Sequence, residues 1–210
     1  MIRFFTESER LEAFSDGVIA VIITIMVLEL RPPKSTDVAA LAELAPTFAA
    51  YLLSFTFIGI YWNNHHHMLR ATRGIDGRAM WANLHLLFWL SLVPFTTAWL
   101  GRNPTATGPT ALYAAVLLLD AVAYTMLQHA LLRVNGSDGP FAAAVKTDVK
   151  GIASIVLYVL ALGFSIVWPI VSDVIFVGVA AMWFVPDRRF EPLIAVEKAG
   201  GGKQPPRHQQ

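Results

Sequence analysis

The chain has 210 residues, of which 55% are hydrophobic and 15% charged, with a net charge of +1. Soluble domains average about 25% charged residues, so this composition favours a membrane protein. The near-zero balance offers no basic face for nucleic acid, and the lack of cysteine excludes disulfides, thiolate metal sites and a cysteine nucleophile.

A helix crossing a bilayer needs about 20 mostly apolar residues. Six stretches qualify in chain order, at about 11–30, 44–69, 79–100, 110–132, 148–168 and 170–185, the last being the shortest. The N-terminal run is too long for a cleavable signal peptide, and no small-residue cleavage site follows it. Arg31-Pro32-Pro33 stops the first span, and Pro94 interrupts the third. The predicted architecture is therefore an all-α membrane protein, with one six-helix domain over 1–190 and a Gly-, Pro- and Gln-rich tail over 191–210.

Cytoplasmic loops collect Lys and Arg. With the N-terminus inside, 13 of the 16 basic residues fall on the cytoplasmic side, leaving Arg31, Lys34 and Arg102 outside. Both termini are then cytoplasmic, in a multi-pass protein of the cell membrane. Trp99, Tyr113 and Trp168 fall at outer helix ends, and Trp62, Trp81 and Trp183 towards inner ends. Aromatic residues favour such interfacial positions.

The first span, RLEAFSDGVIAVIITIMVLEL, carries the most chemistry. At 100° per residue, Gly17, Thr24, Ile25 and Leu28 lie within about 60° of Val21. Asp16 lies about 140° away. One face is thus a small or branched apolar stripe with a single hydroxyl, and another brings an acid into the bilayer. An intramembrane carboxylate costs about 2.5–3.5 kcal/mol on insertion scales and normally turns towards a protein partner. Candidate partners at that depth are Asn63, Asn64, His65, His66, His67, Asn83 and His85. A polar knot of Ser15, Asp16 and some of these, with Arg10 beside it, would lock the first helix onto its own subunit. Glu29, about 80° off the stripe, stands either at the outer mouth or in an ion pair with Arg31 or a neighbouring loop.

The spaced set Arg10, Phe14-Ser15-Asp16, Ala20, Thr24, Leu28 and Leu30 resembles the first-helix signature of the endosomal and lysosomal potassium-channel family and its single-repeat bacterial relatives. YWNNHHHML in the second span is similar to that family's aromatic–Asn–His segment. Asn83, Leu86, Leu87, Phe88, Pro94 and Phe95 resemble its third-helix pattern. The resemblance implies a homotetramer whose first helices line a central pore. It also implies three aliphatic rings, falling here on Val21, Ile25 and Leu28, with a hydroxyl ring at Thr24. Val21 is smaller than the residue the family usually places at the innermost ring.

No TVGYG-type filter occurs in the chain. The expectation is a cation channel with a dewetting apolar neck, a weak preference for K+ over Na+, permeant K+ as the only small ligand, and no cofactor, metal or enzymatic activity. Three other readings compete with it. Consecutive histidines point about 100° apart, so His65, His66 and His67 cannot share one ion without unwinding, and no carboxylate is expected adjacent to them. His85 and His129 could in principle bind haem axially. A proton-coupled transporter would use the intramembrane acids Asp16 and Asp120.

Overall fold

The computed structural model describes residues 7–72, 74–136, 140–146 and 148–184; the tail over 191–210 lies outside them. These residues form α1 (Glu7–Leu28), a 3-10 helix (Val38–Leu44), α2 (Ala45–Arg70), α3 (Gly77–Leu90), α4 (Val93–Arg102), α5 (Thr107–Asn135), α6 (Pro140–Lys146), α7 (Val149–Val167) and α8 (Pro169–Phe184). Five helical stretches are long and apolar enough to cross a membrane; α3 and α4 count as one of them, and α8 is shorter.

The third predicted span is two helices. Pro94 has no N–H to offer the Leu90 carbonyl and its ring crowds it, so the chain re-enters a helix at Val93 after a turn at Ser91–Leu92. Hydroxyls cover exposed carbonyls around the break: Ser91 Oγ donates to Phe88 O at 2.6 Å, and Thr97 Oγ1 lies 2.7 Å from Val93 O. The fourth span begins earlier and ends later than 110–132, as α5. The 3-10 helix and α6 are short loop elements that hydropathy alone does not mark.

α5 is the central post, packing against α3, α4, α6, α7 and α8. Two apolar cores meet along it. One joins Ile22, Met26, Leu86, Leu90, Leu127 and Leu131. The other joins Phe57, Tyr113, Leu117, Tyr158, Phe176 and Val179. Gly101 is required where α4 crosses α2, because a Cβ there would sit 2.8 Å from the Thr47 Cα. One rim of the bundle collects the starts of α1, α3 and α7 and the ends of α2, α5 and α8. The opposite rim collects the end of α1, the end of α4 and the start of α5.

Candidate functional site

α1 divides its circumference. Leu11, Ser15, Ile19, Ile22 and Met26 are buried against the subunit. Their spacing of four, four, three and four keeps them on one helical face. The predicted stripe lies about a third of a turn away and is bare: Val21 is 54% exposed, Ile25 47% and Leu28 76%, with Gly17 and Thr24 also exposed. Phe14, two turns before Val21, extends this stripe and was not among the expected site residues. Thr24 Oγ1 donates to the Val21 carbonyl at 2.9 Å. Its hydroxyl proton is therefore spent within the helix, and the oxygen lone pairs remain available to a cation. Where α1 passes the α3–α4 break, Gly17, Val18 and Val21 face Ser91 and Pro94 across an open groove of about 460 Å3.

The opposite side of α1 is tied by polar contacts near its start. Asn83 Nδ2 donates to Ser15 Oγ at 2.9 Å, and Ser15 Oγ donates to Leu11 O at 2.8 Å. Because Asn83 Oδ1 is left as an acceptor, His65 Nε2, 2.7 Å from it, carries the proton. His65, Asn83, Ser15 and Leu11 thus form one directional chain, and its three side chains are buried.

Asp16 is not part of that chain. It is half-buried and accepts a 2.9 Å hydrogen bond from the Trp62 indole, a partner outside the expected Asn and His set. His66 pairs with Glu12 instead, at 2.7 Å, and stacks on Trp62. Ser8 Oγ adds a bond to Leu69 O. His67 meets His66 edge-on, while Asn63 and Arg10 are exposed. The Glu29 carboxylate takes Arg102 on α4 at 2.6 Å, rather than Arg31.

Contrary to the expectation of no adjacent carboxylate, the packing of α1 on α2 brings Glu12 and Asp16 to the histidine run. One ligand atom each from Glu12, Asp16 and His66 lies within 4.8 Å of the others. Tetrahedral zinc sites want four ligands, and here the groups already engage one another and Trp62. His85 and His129 do share a groove. Trp89 Nε1 donates to His85 Nε2 at 2.9 Å, and His129 Nδ1 lies 2.8 Å from Thr125 O. Asp120 is fully buried on α5, and neither carboxylate oxygen has a hydrogen-bond partner among the described residues.

Five apolar spans, an α1 anchored on one face and bare on another, and polar ties inside the bilayer define a multi-pass α-helical membrane protein. Residues 10–94 match the family model described as endosomal/lysosomal potassium channel TMEM175. The chain is 45% identical over 182 residues to a potassium channel of Chryseobacterium sp. (strain P1-3), covering 87% of this chain and 95% of the relative. It is 37% identical over 83 residues to the endosomal/lysosomal proton channel TMEM175 of Homo sapiens, covering 32% of this chain and 16% of that protein. The crystal structure of a lysosomal potassium-selective channel TMEM175 homolog from Chamaesiphon minutus superposes with a TM-score of 0.75 at 29% identity, over 86% of this chain and 98% of that one. The chain belongs to the TMEM175 family of ion channels.

Proposed function

We propose that four copies of the chain, each with six spans over 1–190, assemble in the cell membrane as a potassium-permeable cation channel lined by α1. Both termini are cytoplasmic, the tail over 191–210 included, and the basic rim faces the cytoplasm. Val21, Ile25 and Leu28 form the neck, with Gly17 and Thr24 between and below them. An apolar ring that narrow excludes water, and a cation cannot shed its hydration shell for hydrocarbon, so the neck gates by dewetting. K+ gives up water more readily than Na+, which yields a modest preference for K+ without carbonyl cages. Ser15, Asp16, His66 and Asn83 serve α1 from behind as its polar setting, with Arg10, Asn63 and His67 beside them, while His85 turns to the other flank of α3.

The observation that carries this reading is the bare stripe. An aliphatic face half to three-quarters exposed on the subunit, backed by a fully engaged polar face, is suited to converge with copies of itself. The potassium-channel names of the bacterial relatives support the ion. Glu29 at the outer mouth is charge-balanced by Arg102, so its effect on conductance is small.

The test is K+ and Na+ flux in liposomes, with unitary currents in planar bilayers. Ile25→Ala and Leu28→Ala widen the neck and change conductance; unchanged conductance in both overturns the assignment. The buried, unpartnered Asp120 supports a second reading, proton-coupled transport through Asp16 and Asp120. That reading requires saturable flux that collapses without a proton gradient and is lost in Asp120→Asn.

A further inference from the structure

α3 has a second flank, away from α1. There Arg78, Trp81 and His85 face Met126, His129 and Arg133 of α5 across an open groove of about 460 Å3. No carboxylate lines it, and neither arginine has an ion pair among the described residues. Arg78 lies in the first turn of α3 and Arg133 in the last turn of α5, so both guanidinium groups sit at the basic rim. His85 lies seven residues further along α3, about 10 Å deeper at 1.5 Å per residue. The groove therefore runs from paired cations at headgroup level to an apolar floor of Ala82, Ala130 and the half-exposed Met126. Trp81, 74% exposed, stands beside the arginines at the depth where indoles favour the bilayer interface.

His85 closes the far end of the groove, level with Met126. The Trp89 indole can only donate, so His85 Nε2 holds a lone pair and the ring proton is on Nδ1. That Nδ1 is shielded from solvent and has no acceptor among the described residues. The groove itself is therefore read by the two cations at its mouth and the apolar wall of Ala82, Ala130 and Met126 beneath them, the order of phosphate and acyl chain in a phospholipid. Juxtamembrane cations are attracted to anionic lipid by about 1 kcal/mol each.

We propose that the α3–α5 groove is a binding site for an anionic phospholipid. Arg78 and Arg133 clamp the phosphate, and one acyl chain lies over Ala82, Ala130 and Met126. The site is on the subunit flank and does not depend on how the pore works.

The test titrates phosphatidylglycerol onto the full chain in phosphatidylcholine nanodiscs, and counts retained lipid per subunit by native mass spectrometry. Wild type retains phosphatidylglycerol over phosphatidylcholine. Two cations at about 1 kcal/mol each predict that R78Q/R133Q weakens retention about 30-fold. R78K/R133K recovers part of it, and Arg102→Gln on the opposite rim leaves it unchanged. Should R78Q/R133Q not fold, Ala82→Trp fills the groove and must lower retention in its place. The proposal is overturned by equal retention of both lipids in wild type, or by undiminished phosphatidylglycerol binding in whichever of these variants folds. It is equally overturned if inorganic phosphate displaces the lipid at the concentration that occupies the site, or if the purified protein carries a haem absorbance band.

Discussion

α1 and α5 are both long apolar helices, yet they are built on opposite plans. α5 is broadly packed, with thirteen buried residues covering half its circumference and five helices packed on it. α1 buries a single narrow face and leaves an aliphatic stripe bare. A helix on which five others pack is a scaffold, and changes to its buried half are felt as stability. A helix held by one face has surface left for another task, and changes to that surface are felt as function. Composition does not separate the two, since both pass as spans of similar hydropathy.

The sharpest way to break this contrast is to truncate one aliphatic residue on each helix. Leu117→Ala, fully buried on α5, is expected to cost about 3 kcal/mol. That lowers the melting temperature in detergent by about 6 °C or more. Ile25→Ala on the bare stripe is expected to shift stability by no more than about 0.5 kcal/mol while changing cation flux. Equal destabilisation by both would erase the distinction.

Asn83→Leu comes next. It leaves Ser15 Oγ and His65 Nε2 without their shared partner in a buried seam, at about 2 kcal/mol by thermal unfolding. Because it unlocks α1 from behind, it also alters open probability in single-channel records, whereas Leu117→Ala does not. Gly101→Ala is expected to cost about 1–2 kcal/mol by forcing α4 away from Thr47, without any change in unitary conductance. Smallest is Glu29→Gln. The Glu29–Arg102 pair is exposed, so its loss costs less than about 1 kcal/mol, a difference that vanishes in high salt.

The helical wheel found the stripe because 100° per residue is a property of α1 alone. It also found Ser15 and Asn83 as members of one polar cluster, since both fall at similar depth. It did not find Trp62 as the partner of Asp16, nor Glu12 as the partner of His66. Those pairings depend on how α1 and α2 are rotated relative to one another, which no single helix encodes. Trp62 also reads as an interfacial anchor by type, which hid the donor capacity of its indole. The break in the third span was visible as Pro94, but the two-residue turn before it was not. Matching depth already paired His85 with His129, but the groove that joins them depends on the antiparallel register of α3 against α5.

The polar ties of α1 to its own subunit described above, from Ser8, Glu12, Ser15 and Asp16, all lie within its first half, and the next is Glu29, past the helix end. The polar clamp is accordingly at one end, and the rest of the helix is held through Ile19, Ile22 and Met26 by apolar packing alone, which can slide. From Ser15 to Leu28 the helix measures about 20 Å. A rocking of 5° about the clamp would carry Leu28 sideways by about 1.7 Å and Val21 by less than half of that, from the same rise per residue. Any widening driven by such rocking therefore begins at the far ring, and the near one follows last.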